Sequence, residues 1–283
     1  MSARRASTQR QRRLGIELRK LRAAAKLSTE QVAEVLGMDR TRIANMESGI
    51  RSINAERARI LSATYAPEDN AYADALVEMA DVQERGWWEK YRGTLSAGLL
   101  DIAETEWHAR RLLTVQSVHV PGLLQTEDYA RSVFDAVLPP LSRLEVEVRV
   151  QHRMERQQVL GDSRALPYMA YVHEAALRMQ FGGAKVMRAQ LDQLGAASER
   201  PHIAVRVIPI SVGAFPGAGH ALLYAEGPVS SLDTAQLDTA HGVEFIHAEP
   251  QLAKYRAHLT WMDEQCLSED RSRDLIRSIA QHL

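Results

Sequence analysis

LSTEQVAEVLGMDRTRIANMESG, running from Leu27 to Gly49, reads as two short helices joined by a tight turn. Ser28 can cap the first helix, with Gln31 three residues on in capping-box spacing, and Val32, Ala33 and Leu36 fall on one face. Gly37 can end that helix without a Cβ penalty. Asp39 can then cap a second helix through Glu47, with Ile43 and Met46 pointing inward and Gly49 closing it.

If Ile43 and Met46 face the interior, Arg40, Thr41, Ala44 and Asn45 face outward, with Arg42 at the flank. Arginine, threonine and asparagine at the N-terminal end of an exposed helix supply the donors and acceptors that base edges and phosphates require. On these residues the stretch resembles the helix-turn-helix of lambda-repressor-like, xenobiotic-response-element type bacterial transcription regulators, a resemblance covering about residues 10 to 66. It implies double-stranded DNA as partner, with base readout from Arg40, Thr41, Arg42 and Asn45, and a phosphate contact at Thr29. It also implies a structural ion pair between Arg22 and Glu47. Asp39 departs from the Ser or Thr usual at that cap, and its charge suits capping better than a phosphate contact.

The 283 residues suffice for about two domains, and the net charge of −1 conceals an asymmetry. Residues 1–60 hold 14 Lys and Arg against 6 Asp and Glu, a net of +8, whereas the rest holds 21 against 30, a net of −9. A basic head on an acidic body suits a DNA reader with a separate control domain, because phosphate affinity follows local charge. Cys266 is the only cysteine, which excludes an intramolecular disulfide and a Cys-rich zinc site. There is no apolar run of about 18 residues, and the expectation is a cytoplasmic, nucleoid-associated protein with no membrane contact.

Outward from the opening stretch, residues 1–11 read as a disordered basic arm, either a solvated tail or a source of phosphate contacts through Arg4, Arg5, Arg10, Arg12 and Arg13. Gln11 to Ala25 has the helical stripe Leu14, Leu18, Leu21. After Gly49, Arg51 sits in a turn where it could touch the DNA backbone, Asn54 caps a helix carrying Ile60 and Leu61, and Pro67 marks its end. Residues 70–84 repeat helical spacing, and the cluster GWWEKY at 86–91 stands at a domain junction, where Trp87 and Trp88 read as packing.

A helix over 99–111 precedes an extended stretch, 112–120, without clean alternation. Pro121-Gly122 breaks it, and Thr126 caps a helix with Glu127 and Asp128 in its first turn. VPGLLQTEDYAR, from Val120 to Arg131, is similar to the signature of a C-terminal domain of unknown function that follows lambda-repressor-like modules in actinobacterial regulators. The Arg-rich helix with Arg149, Arg153 and Arg156, YVHEAALR from Tyr171, VMRAQLDQL from Val186 and VRVIPI from Val205 agree with it. That resemblance implies a small partner protein encoded nearby, in an antitoxin-like pairing.

Further expectations are a long helix from Leu141 to Gly161 burying Leu144, Val148 and Met154, strands over 167–173, 203–210, 221–225, 229–232 and 243–246, and two closing helices. HEAAL at His173 lacks the second His of a zinc-protease helix, His241 and His247 lack further ligands, and the loop GAFPGAG at 213–219 lacks the Lys and hydroxyl of a phosphate loop. No catalytic residue, metal or cofactor is therefore expected, and the chain is read as no enzyme.

The fold class expected is multi-domain: an all-α helix-turn-helix N-terminal domain followed by a larger α+β C-terminal domain. The boundaries are 1–11 for the arm, 12–66 for the DNA-binding domain, 67–95 for connecting helices and 96–283 for the control domain. Two roles stay open for the C-terminal half. One is binding the partner protein; the other is sensing a small molecule, with the aromatic cluster and the region of His173 and Glu174 lining a pocket. A homodimer is expected, because one recognition helix spans only a few base pairs.

Overall fold

The computed structural model describes residues 7–65, 70–81, 86–239 and 241–283. They form two compact units, Met1–Arg92 with Leu100–Glu104, and Gly93–Leu99 with Thr105–Leu283. The first unit contains α1 (Gln9–Ala24), α2 (Thr29–Val35), α3 (Arg40–Glu47), α4 (Ala55–Tyr65) and α5 (Asn70–Ala80), then a 3₁₀ turn at Trp87–Tyr91. Leu14 and Leu18 of α1, Val32 and Ala33 of α2, Ile43 and Met46 of α3, Leu61 of α4 and Leu76 of α5 are buried and form its core. Trp88 and Tyr91 are buried as well, and the Trp87 ring meets both edge-on.

Three expectations change in this unit. α1 starts at Gln9, inside the stretch read as a disordered arm, because Thr8 and Gln11 form a capping box. Arg10, Arg12 and Arg13 are accordingly committed within the unit: Arg10 donates to the Glu78 carbonyl, Arg12 pairs with Asp101 at 3.0 Å and Arg13 pairs with Glu17 at 3.1 Å. Arg4 and Arg5 lie outside the described residues, as does Pro67. α5 packs on α4 and α1, so it is a member of the helical unit and not a connector over 67–95.

α6 (Ala97–His108) leads into β1 (Arg111–Gln116), and α7 (Glu127–Asp135) and α8 (Arg143–Arg156) carry the chain to β2 (Tyr168–His173). α9 (Glu174–Arg178) and α10 (Ala184–Ala197) lead to β3 (Ile203–Ile208). The chain closes with β4 (Leu222–Glu226), β5 (Thr234–Thr239), β6 (Gly242–Ile246), α11 (Glu249–Gln265) and α12 (Glu269–Gln281). The six strands form one mixed sheet in the order β3-β2-β1-β4-β5-β6, parallel from β3 to β1 and antiparallel from β1 to β6. Leu112, Ala170, Val205 and Leu223 point to one face, covered by α7, α9, α10 and α12. Leu113, Val115, Tyr171 and Tyr224 point to the other, against Leu252, Leu259 and Met262 of α11. The second unit is thus the expected α+β domain.

Side chains converge on the Val120–Thr126 segment. The Gln125 carboxamide donates to the Val120 carbonyl at 2.8 Å and accepts from Arg153 at 2.6 Å. Gln157 donates to the Gln125 carbonyl, Gln190 donates to the Leu124 carbonyl and accepts from the Thr126 amide, and the Tyr129 hydroxyl accepts from the Val120 amide. A non-repetitive segment buried here needs such partners for its backbone groups.

Elsewhere the register moves. Ser142 and Glu145 form a capping box that starts α8 at Arg143, so Val146 and Val150 pack on Phe134, while Leu144, expected inside, is 73% exposed. The helix ends at Arg156, followed by a 3₁₀ turn at Gln157–Leu160. The strand expected over 229–232 is a turn, because Asp233 accepts from the Tyr224 hydroxyl at 2.7 Å and the Gly227 amide at 2.9 Å; pairing resumes at Thr234. α6 and β1 also start and end earlier than the expected spans of 99–111 and 112–120.

Candidate nucleic-acid interface

α3 is seated by charge and by close contact. The Arg22 guanidinium grips Glu47 through two hydrogen bonds, Nε to Oε1 at 2.6 Å and Nη2 to Oε2 at 2.9 Å, while Nη1 donates to the Leu27 carbonyl at 2.7 Å. Planar bidentate geometry fixes angle as well as distance, so the ends of α1 and α3 and the turn before α2 are locked together. The Arg22 pKa is raised by the Glu47 hydrogen bond, with burial acting against it. Gly15 of α1 permits the crossing: a Cβ there would stand 2.6 Å from the Met46 and Glu47 carbonyl oxygens. Gly49, at φ +71°, closes the helix where a Cβ would reach 2.7 Å from the Arg12 backbone.

The expected readers lie on α3 away from the buried Ile43 and Met46, Arg42 at the flank. Arg40 and Thr41 are exposed, Arg42 and Asn45 are half-buried, and Arg51 is exposed in the following turn, its amide bonded to the Asn45 carbonyl at 2.9 Å. Among the described residues the Asn45 carboxamide and the Arg51 guanidinium make no side-chain hydrogen bond, and Arg42 forms no ion pair, its Nε being buried without a partner. Arg40 differs, because it pairs with Glu30 of α2 at 2.8 Å. The hydrogen bond from Arg40 is the main cause holding the Glu30 carboxyl down at about 2, and it raises Arg40 in return. The Thr29 hydroxyl donates to the same carboxylate at 3.2 Å. The contribution of Glu30 was missed in sequence; its ten-residue separation from Arg40 crosses the turn at Gly37 and follows no helical spacing. Asp39 acts as the cap, accepting from the Thr41 amide at 2.7 Å, and hydrogen bonds from Thr41 hold its carboxyl below the usual range.

In the second unit His173 caps α9 by accepting from the Ala175 amide at 3.2 Å, and Glu174 accepts from Arg178 and the Ile210 amide. These contacts are local and structural. A cavity of about 380 Å³ lies between the 213–219 loop, the sheet and α11, lined by Val115, Leu222, Leu237 and Met262 with His220, Lys254, Tyr255 and His258. The expected pocket around Trp87, Trp88, His173 and Glu174 does not coincide with it. No group of three metal-binding side chains occurs among the described residues, and no helix there is long and apolar enough to cross a membrane.

Residues 13–70 match the family model of a helix-turn-helix domain, which makes the first unit the DNA-binding part of a regulator. No curated protein and no solved structure matches the chain significantly. Residues 99–278, more than half of the chain, match the family model described as a domain of unknown function (DUF5753), and the protein belongs to that family.

Proposed function

We propose that the protein is a sequence-specific, lambda-repressor-like transcription regulator that binds double-stranded DNA as a homodimer through α3, and that it is no enzyme. The observation that carries this reading is the outward presentation of Arg40 and Thr41, with Arg42 and Asn45 half-buried beside them, on a helix whose angle the Arg22–Glu47 pair fixes. Donors held rigidly can match base edges without a large ordering cost. Arg51, and Thr29 once its hydroxyl leaves Glu30, would hold flanking phosphates.

DNA selected from a random pool by the full chain gives the operator, and anisotropy titration tests the readers. Arg40→Ala and Asn45→Ala should each reduce discrimination between operator and random duplex by roughly 5- to 150-fold. Unchanged discrimination in both variants would sink the assignment.

For the second unit we propose binding of a small partner protein, in the antitoxin-like arrangement that the VPGLLQTEDYAR resemblance implies. A second reading is favoured by one observation, the cavity under the 213–219 loop: the unit senses a small molecule. Co-purification with the product of an adjacent small reading frame tests the first.

A further inference from the structure

The cavity under the 213–219 loop has a composition that selects a ligand class. Its floor is apolar, made by Val115 of β1, Leu222 of β4, Leu237 of β5 and Met262 of α11. Every ionisable side chain in its lining is one that can carry positive charge or donate a proton: His220, Lys254, Tyr255 and His258, with no carboxylate among them. The carboxylate that acts on this lining, Glu244 beside Tyr255, stands outside it.

The loop roof is held in place on two sides. The Ser117 hydroxyl, just beyond β1, donates to the Ala218 carbonyl at 3.1 Å, and the Phe215 ring stacks on His173 at 5.1 Å between centroids. Gly217 has φ +74°, which glycine adopts without a Cβ penalty, and it lies beside His258, where a Cβ would come into van der Waals contact with Nδ1 at 3.4 Å. The Tyr255 and His258 rings meet edge-on at 5.9 Å. At about 380 Å³ the hollow falls at the small end of ligand pockets, which span roughly 300–1,000 Å³.

We propose that this cavity is a binding site for a small apolar monoanion, a carboxylate on an aromatic or short aliphatic body, with the body on the leucine and methionine floor and the carboxylate at Lys254 and His258. The inference deepens the ligand-sensing reading and rests on it for any regulatory consequence, though the site stands or falls on binding alone. Lys254 supplies the charge at the mouth, while burial first and then Lys254 hold the His258 pKa below its usual value, so that His258 offers a neutral ring N–H. A cation and a donor beside an apolar hollow favour an anion over its neutral isostere, because the carboxylate regains there the interactions it loses with water.

Calorimetric titration of the full chain with 1-naphthaleneacetate and with its neutral counterpart 1-naphthaleneethanol tests the site. The acid should bind at least tenfold more tightly than the alcohol. Lys254→Gln combined with His258→Gln should bring the two within about twofold of one another at an unchanged melting temperature. Leu237→Trp should fill the floor and abolish both; if that variant melts early, the exposed Lys254→Gln alone, with a several-fold loss for the acid only, carries the test. Equal binding of acid and alcohol by the unaltered protein, or binding of neither, or full binding by a folded Leu237→Trp, would overturn the proposal. Affinity for the selected operator, measured with and without saturating 1-naphthaleneacetate, separates the two levels. A shift supports site and sensing together, and an unchanged affinity at proven occupancy keeps the site while overturning the sensing role.

Discussion

Glu30 holds two of the groups that the interface would offer to DNA, the Arg40 guanidinium and the Thr29 hydroxyl. An exposed pair of this kind is screened by salt and exchanges readily with solvent, so it sets a modest toll on DNA binding rather than a block. Glu30→Gln should therefore raise affinity for operator and random duplex by several-fold at low salt, with the gain shrinking as salt rises; anisotropy titrations that show no gain would remove the toll. His152 presents a separate titration. Burial first, then the nearby charges of Arg156 and Arg153, push its pKa from 6.5 down to about 3. The unfolded chain takes up this proton near pH 6.5 and the folded chain only near 3. The stability it contributes is complete above about 6.5 and is lost as pH falls through that window. Denaturation of the unaltered protein across pH 6 to 4 should lose stability faster than His152→Gln by up to about 1.4 kcal/mol per pH unit, and parallel curves would contradict the assignment.

At the scale of elements, the crossing of α1 and α3 opposes two magnitudes. Alanine in place of Gly15 gains about 1 kcal/mol of helix propensity, but its methyl would meet two backbone carbonyl oxygens at 2.6 Å, which cannot turn aside as a side chain can. Overpacking of that kind costs about 1–3 kcal/mol. Gly15→Ala should lower the melting temperature of the helical unit and weaken DNA binding through a displaced α3; an unchanged melt would show that the helices separate at little cost. The sequence reveals α2 and α3 well because their caps are local: Ser28 with Gln31, and Asp39 with Thr41. It reveals Gly15 poorly, since a glycine inside a helix carries no mark of what crosses it. The inward face of α8 was misjudged for a related reason. Met154 packs where expected, against Phe134, Val146 and Val150, but Leu144 and Val148 look as apolar as Val146 and Val150, and only contact with Phe134 selects the latter pair.

Across the whole molecule, the division into a basic N-terminal part and an acidic remainder was readable from charge, and the resemblances supplied the fold class of each. The sheet was less readable. β1 is buried on both faces, so Leu112 and Leu113 lie on opposite sides and leave no alternation to detect. β5 carries Thr234, Gln236 and Asp238 on one side and escaped notice as a polar run. The ligand cavity could not have been anticipated, because Val115, Leu222, Leu237 and Met262 come from four elements.

β1 also marks a change in sequence distance. Its antiparallel side opens onto β4, β5 and β6, which follow one another along the chain after short intervals, Glu226 to Thr234 and Thr239 to Gly242; its parallel side requires the crossovers through α7 and α8 and then through α9 and α10. Chain closure over short links is entropically cheaper and faster than over long ones. In refolding monitored by pulsed hydrogen exchange, amides paired between β4, β5 and β6 should gain protection before those paired between β2 and β3, and simultaneous protection of both halves would refute that order. The strand that joins the two halves would then be the last to find both neighbours, and the half-assembled sheet would wait with one edge open until it does.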